Sequence, residues 1–108
     1  MKKLIVAGMT LVAALGANGA MAQGYPVKSV RLIVPNGAGS SPDIVARLVS
    51  ERLARRLGQQ FIVDNRAGAG GNIGADMVAK SPPDGYTLLM GAVATHAINP
   101  SLYRKVSF

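Results

Sequence analysis

Three times along this chain a short, almost unbroken apolar run ends in a cluster of small residues. Val30-Arg31-Leu32-Ile33-Val34 stops at Pro35 and passes into Asn36-Gly37-Ala38-Gly39-Ser40-Ser41. Phe61-Ile62-Val63 leads, through Asp64, to Asn65-Arg66-Ala67-Gly68-Ala69-Gly70-Gly71, and Tyr86-Thr87-Leu88-Leu89-Met90 to Gly91-Ala92-Val93-Ala94-Thr95. Continuous apolar runs of this length suit strands covered on both faces, as in a parallel sheet. The segments between them have helical spacing, so the order is β-α-β-α-β with a short helical piece after it. That order predicts an α/β fold with parallel strands and right-handed crossovers. Parallel strands carry their carboxyl ends to one edge, where open α/β sheets bind ligands. All three small-residue turns are expected to meet there.

The first helix is expected over residues 42–57. Ser41 is placed to cap it, Pro42 fits the first helical position, and Asp43 complements the dipole in the first turn. Ile44, Val45, Leu48, Val49, Leu53 and Leu57 recur at one-turn spacing and predict one buried stripe. Gly58 stands where a helix commonly ends. The second strand is expected over residues 61–64 and a second, looser helix over residues 72–81, with Ile73, Met77 and Val78 as its apolar face. Pro82-Pro83-Asp84-Gly85 is a turn signal. The third strand is expected over residues 86–90, and a helical piece from about Thr95 or His96 that Pro100 interrupts.

The second turn carries the most specific chemistry. Gly68, Gly70, Gly71 and Gly74 allow conformations closed to other residues and let a ligand approach the main chain without meeting a Cβ. A helix starting at Asn72 aims unpaired N–H groups and its positive dipole end into that turn, which suits an anionic oxygen. The structural alternative is a tight turn packed on the sheet. The third glycine falls one place late for the dinucleotide fingerprint. Arg66 is the one cation inside the turn, either paired with a ligand carboxylate or facing solvent.

Lys2 and Lys3, the apolar stretch Leu4 to Leu15 and the small residues of Ala20-Met21-Ala22 have the form of a secretory leader cleaved after Ala22. The rival reading, a membrane anchor, needs roughly 20 predominantly apolar residues, and Gly8, Thr10, Gly16, Asn18 and Gly19 dilute the run. Without the two leader lysines the formal charge falls from +7 to +5. The cations are scattered except for Arg47, Arg52, Arg55 and Arg56 on the first helix, and no aromatic residues interleave them. A solvated helix face is the reading, with no nucleic-acid partner. Zero cysteines exclude a disulfide framework and thiolate metal sites.

No Gly-x-Ser-x-Gly or phosphate-loop pattern is present, and His96 is the one histidine. His96 reads as a hydrogen-bonded structural residue. Ser40 and Ser41 sit before Pro42-Asp43 as capping or ligand-bonding hydroxyls, with an exported hydrolase as the alternative they leave open. Asp43 and Asp84 read as helix-start and turn residues rather than an acid/base pair. The remaining site consists of backbone N–H groups and hydroxyls, which can hold a carboxylate directly or through water. No cofactor and no metal is expected, and no enzyme activity.

The sequence resembles the Bug family of periplasmic solute-binding proteins, receptors of tripartite tricarboxylate transporters. The residues that carry the resemblance are Tyr25-Pro26, Val30 to Pro35, Asp43-Ile44-Val45-Ala46-Arg47, Asn65 to Gly74, Pro83-Asp84-Gly85-Tyr86-Thr87-Leu88 and His96-Ala97-Ile98-Asn99-Pro100. It implies a two-domain, type II periplasmic-binding-protein-like fold closing on a small organic carboxylate, with membrane transporter subunits as further partners. The turns after the first and second strands hold the ligand carboxylate in that family, partly through water bridges. Ligand contacts are therefore expected at Asn36, Gly37, Ala38, Gly39, Ser40, Ser41 and Asp43, at Ala67, Gly68, Ala69, Gly70, Gly71 and Asn72, and at Thr95. The family's first turn usually has the form Pro-Phe-x-Pro-Gly-Gly-x-x-Asp, whereas hydroxyls replace the stiffening proline and aromatic here. Family members are also considerably longer. Residues 1–22 are accordingly expected to be a signal peptide, and residues 23–108 an incomplete N-terminal α/β domain comprising only the parallel β-α-β-α-β portion. A non-functional remnant is the further alternative.

Overall fold

The computed structural model describes residues 24–108; the expected leader lies outside the described residues. A three-stranded parallel sheet has the order β2-β1-β3, with β1 (Val30–Val34) at its centre, β2 (Phe61–Asn65) on one side and β3 (Thr87–Leu89) on the other. Val30 pairs with Phe61 and Val34 with Asn65, while Arg31 pairs with Thr87 and Ile33 with Leu89. The central place explains why β1 is the most apolar run. Val30, Ile33 and Val34 are fully buried, and only Arg31 reaches solvent. Backbone bonds from Arg31 N–H to Tyr86 O and from Met90 N–H to Ile33 O continue the β3 pairing over the predicted residues 86–90.

Helix α1 (Ser41–Leu57) covers the face that carries Leu32 and Val34, with Ala46 packed on them and Val63 and Met90 at the margin. Helix α2 (Asn72–Ala79) lies against β3 and β1 and buries Gly74 and Ala75. It stops short of the predicted Ser81, whose hydroxyl donates to Met77 O and closes the last turn. Before α2, Ala69–Gly71 forms a 3₁₀ turn. After β3 the chain makes a π-helical turn at Ala94–Ile98 and a short helix α3 (Asn99–Leu102). Pro100 does not interrupt this piece. It follows directly on the π-helical turn, with Ile98 and Asn99 already in helical conformation before it, and the helical run continues to Leu102.

Two expectations for α1 are corrected. The residue at the N-cap is Ser40, not Ser41, and its hydroxyl donates backward to Gly37 O instead of capping the helix. The predicted apolar stripe is not the buried one. Ile44, Val45, Leu48 and Val49 are between 41 and 58 % exposed, while Asp43, Ala46 and Ser50 face the sheet. The inward set lies on nearly the opposite side of the helix from these four, about 160° away at 100° per residue. Small side chains let the helix approach the strands closely, and the hydrogen bonds of Asp43 fix its rotation. A polar contact, not apolar periodicity, sets the phase of this helix.

At the opposite end of the strands, the Pro-Asp-Gly-Tyr-Thr block anchors the lead-in. Tyr25 stacks at 5.2 Å on Tyr86 and donates to Gly85 O, and the Tyr86 hydroxyl accepts from Val27 N–H. These residues hold the fold and lie away from the carboxyl-end turns.

Candidate functional site

The turns after β1 and β2 are adjacent and bonded to each other. Arg66 N–H donates to Val34 O at 2.8 Å, which extends the pairing of the two strands one step into the turns. Asn65, the last residue of β2, then reaches across. Its Nδ2 donates to Asn36 O at 3.1 Å and to Asp43 Oδ1 at 3.0 Å. Asp43 accepts twice more on Oδ2, from Gly39 N–H at 2.8 Å and from Arg47 Nε at 3.1 Å. Arg47 closes the ring by donating to Asn65 Oδ1 at 3.2 Å.

A carboxylate only 3 % exposed needs this many donors. The Arg47 guanidinium, then the Gly39 amide and the Asn65 amide, hold the Asp43 carboxyl down at about 2 against an ordinary 3.8. Asp43 is therefore ionised and fully occupied within the protein. It shapes the first turn from behind.

The second turn is tied to the piece after β3. Asn99, buried at the start of α3, donates through Nδ2 to Gly70 O at 2.9 Å and to Asn72 Oδ1 at 2.6 Å. Thr95 is fully buried, its hydroxyl donating to Ala92 O at 2.9 Å and lying 2.7 Å from His96 Nδ1. With its proton on Ala92 O, Thr95 accepts from the ring, so His96 is a hydrogen-bond partner and not a base toward it. Thr95 staples the third turn instead of presenting its hydroxyl outward.

The glycines of the second turn serve internal packing. A Cβ on Gly68 would meet the Ile73 side chain at 2.6 Å, one on Gly70 would meet Asn99 at 3.3 Å, and one on Gly71 would meet Thr95 at 2.7 Å. Gly74 is pressed on Arg66 O and Pro35 in the same way. In the first turn the space is open, with nothing within 4 Å of the positions a Cβ would take on Gly37 and Gly39. The exposed members of the expected contact set are Gly37, Ala38, Gly39 and Ser41 in the first turn and Ala67 to Gly70 in the second. Asn36, Ser40 and Asn72 are half-buried, and Gly71 is buried. Arg66 is drawn off to Asp64, to which it donates at 3.0 and 3.1 Å, and Asp64 is also paired with Arg31. These guanidiniums, Arg31 foremost, hold the Asp64 carboxyl below its usual range.

Neither α1 nor α2 has a side-chain cap at its N-terminus. Both starts stand at the carboxyl edge of the sheet, so their first N–H groups and positive dipole ends point to one region. Asn65, Arg47 and Asn99 tie the turns together and were passed over by sequence reasoning. An asparagine closing a strand beside a buried aspartate was the available signal for the first.

A family model described as the tripartite tricarboxylate transporter family receptor matches residues 45–108. The chain belongs to that receptor family. Protein BugT of Bordetella pertussis is 45 % identical over 106 residues, which are 97 % of this chain and 32 % of BugT. Among solved structures, an R. palustris protein with adipate is 44 % identical with a TM-score of 0.75, covering 78 % of this chain and 28 % of that one. MatC of Rhodopseudomonas palustris with bound malate is 39 % identical with a TM-score of 0.74, covering 78 % and 29 %. The chain thus spans about a third or less of the length of these family members. The α/β architecture is that of the matched part of these receptors. Among the described residues no group of three or more His, Cys, Asp or Glu could hold a metal ion, and no helix is long and apolar enough to cross a membrane.

Proposed function

We propose that the chain is the part of a periplasmic solute receptor that holds one carboxylate of a small organic acid at the turns after β1 and β2. The observation that carries this reading is the pair of helix starts without side-chain caps at one sheet edge, the turns after β1 and β2 being hydrogen-bonded to each other through Asn65 and Arg66. A carboxylate there supplies the cap that neither helix has. The family supports a binding role, and two of its members were solved with dicarboxylates, adipate and malate. The contacts are those main-chain N–H groups of residues 36–41 and 67–70 that make no internal bond, Gly39 and Ser40 being engaged with Asp43 and Gly37 O, with Asp43 and Thr95 supporting the turns from behind. The molecule binds without converting its ligand: the Ser40 hydroxyl donates to Gly37 O and has no base, which leaves the hydrolase reading without geometric support.

Residues 1–22 are read as a leader removed after Ala22, placing residues 23–108 in the periplasm as an incomplete first domain of a two-domain receptor. Periplasmic relatives and the leader pattern support this. Delivery to membrane transporter subunits is the role that the family description supports. Half a cleft leaves the far side of its ligand in water, so affinity is expected to be weak.

The test is titration of the ¹⁵N-labelled chain with adipate. Amide signals of residues 36–41 and 67–72 are expected to move together. Gly37→Val fills open space without disturbing packing, so it is expected to abolish these shifts at an unchanged melting temperature. Shifts that persist in Gly37→Val, or that map elsewhere in the wild type, would sink the assignment.

A further inference from the structure

The geometry points to Asp43 and Asn65 as positioning residues that lock the two turns into one recognition surface, so that a disturbance in either is felt in the other. This deepens the carboxylate reading above and rests on it for its consequence, though not for its structural content. An aspartate in the first turn of a helix whose N-terminus receives an anion is unfavourable by charge alone. Its place is explained by what its oxygens hold. Oδ2 fixes the Gly39 amide of the first turn, and Oδ1 takes the Asn65 amide at the mouth of the second. Asn65 uses its other amide hydrogen on Asn36 O, at the root of the first turn. Arg47 spans both residues, neutralises Asp43 and leaves the surface outside free of its negative charge. Three side chains, Asp43, Asn65 and Arg47, thus form a closed ring at the junction of β1, α1 and β2, with Gly39 N–H and Asn36 O bonded to it.

Charge and position give opposite expectations for Asp43→Asn. If the carboxylate acts only by charge, its removal favours an anion at the helix start and tightens binding. If it acts by position, an amide facing both the Gly39 N–H and the Asn65 NH₂ must set a donor against a donor, and the ring opens. Swapping the pair, Asp43→Asn with Asn65→Asp, restores the donor–acceptor contact between the two positions but sets a carboxylate oxygen against Asn36 O, so only part of the ring is recovered.

The experiment has a ligand-free arm and a ligand arm on the full chain. Without ligand, amide hydrogen exchange is measured in the wild type, Asp43→Asn and the swap. Loss of a charge-assisted bond is expected to speed exchange about tenfold at Gly39 and also at Arg66 and Gly71 across the junction, with partial recovery in the swap. Acceleration confined to residues 36–43 overturns the proposal, as does acceleration spread evenly over β1 and β3, which marks simple destabilisation. With adipate as probe, Asp43→Asn is expected to weaken binding about tenfold despite losing a negative charge; tighter binding overturns the positioning role. If adipate shifts neither turn of the wild type, the carboxylate reading fails while the exchange arm still decides the lock.

Discussion

Gly71→Ala is the sharpest probe of how the turns converge. Gly71 has φ +94°, and an added Cβ would stand 2.7 Å from Thr95 Cγ2, 3.2 Å from Pro35 Cβ and 3.3 Å from Pro35 O. The left-handed conformation costs an alanine about 1–2 kcal/mol. Overpacking against neighbours that include backbone adds about 1–3 kcal/mol. The stiffer unfolded chain returns about 0.4–1 kcal/mol, leaving a net loss of about 2–4 kcal/mol. Gly39→Ala separates the two costs, because φ there is +82° and nothing lies within 4 Å of the new Cβ. It is expected to lose about 1 kcal/mol or less by the same reckoning. Urea denaturation followed by circular dichroism measures both, and on heating the two variants should differ by on the order of 10 °C for a domain of this size. Equal losses would refute the reasoning, since they would mean that no neighbour presses on Gly71.

Ser50 Oγ is buried without a hydrogen-bond partner, so Ser50→Ala is expected to raise stability by about 1 kcal/mol in the same denaturation experiment. Leu48 is 58 % exposed and Ala46 fully buried; Leu48→Glu should change stability by no more than about 0.5 kcal/mol, whereas Ala46→Glu should prevent folding. Below neutrality the Asp43 carboxyl matters. Its folded pKa, held at about 2 against 3.8, means the unfolded chain takes the proton more readily. The stabilisation is whole above 3.8 and is lost as the pH falls toward 2. Asp64 and Asp76, also lowered, act in the same sense. Melting curves across that range should therefore fall more steeply for the wild type than for Asp43→Asn.

The strands and their order were legible because each is a compact apolar run bounded by small residues, and because parallel pairing follows from the intervening helices. The convergence of the turns followed from that alone. What α1 buries was not legible. Ile44, Val45, Leu48 and Val49 make the stronger apolar pattern, and only tertiary contacts of Asp43 with Gly39 and Asn65 overrule it. The glycine-rich turn was found but its glycines were read as open to a ligand, when Ile73, Asn99, Thr95 and Pro35 occupy the space beside them. Ile73 is only five residues from Gly68, but Asn99, Thr95 and Pro35 are distant in sequence, so no local spacing announces them. Pro100 was read as a stop because a proline inside a helix commonly is one, and here it follows a π-helical turn without ending the helical run.

The roll of α1 carries a consequence for the order in which the molecule assembles. Before β2 is in place, Asp43 has only its local partners Gly39 and Arg47 to set against the pull of the valines and leucines toward β1. Asn65 is the last residue of β2, so the polar arrangement becomes available only once that strand has registered on its neighbour. The final seating of the helix therefore depends on an amide supplied from the far end of another element.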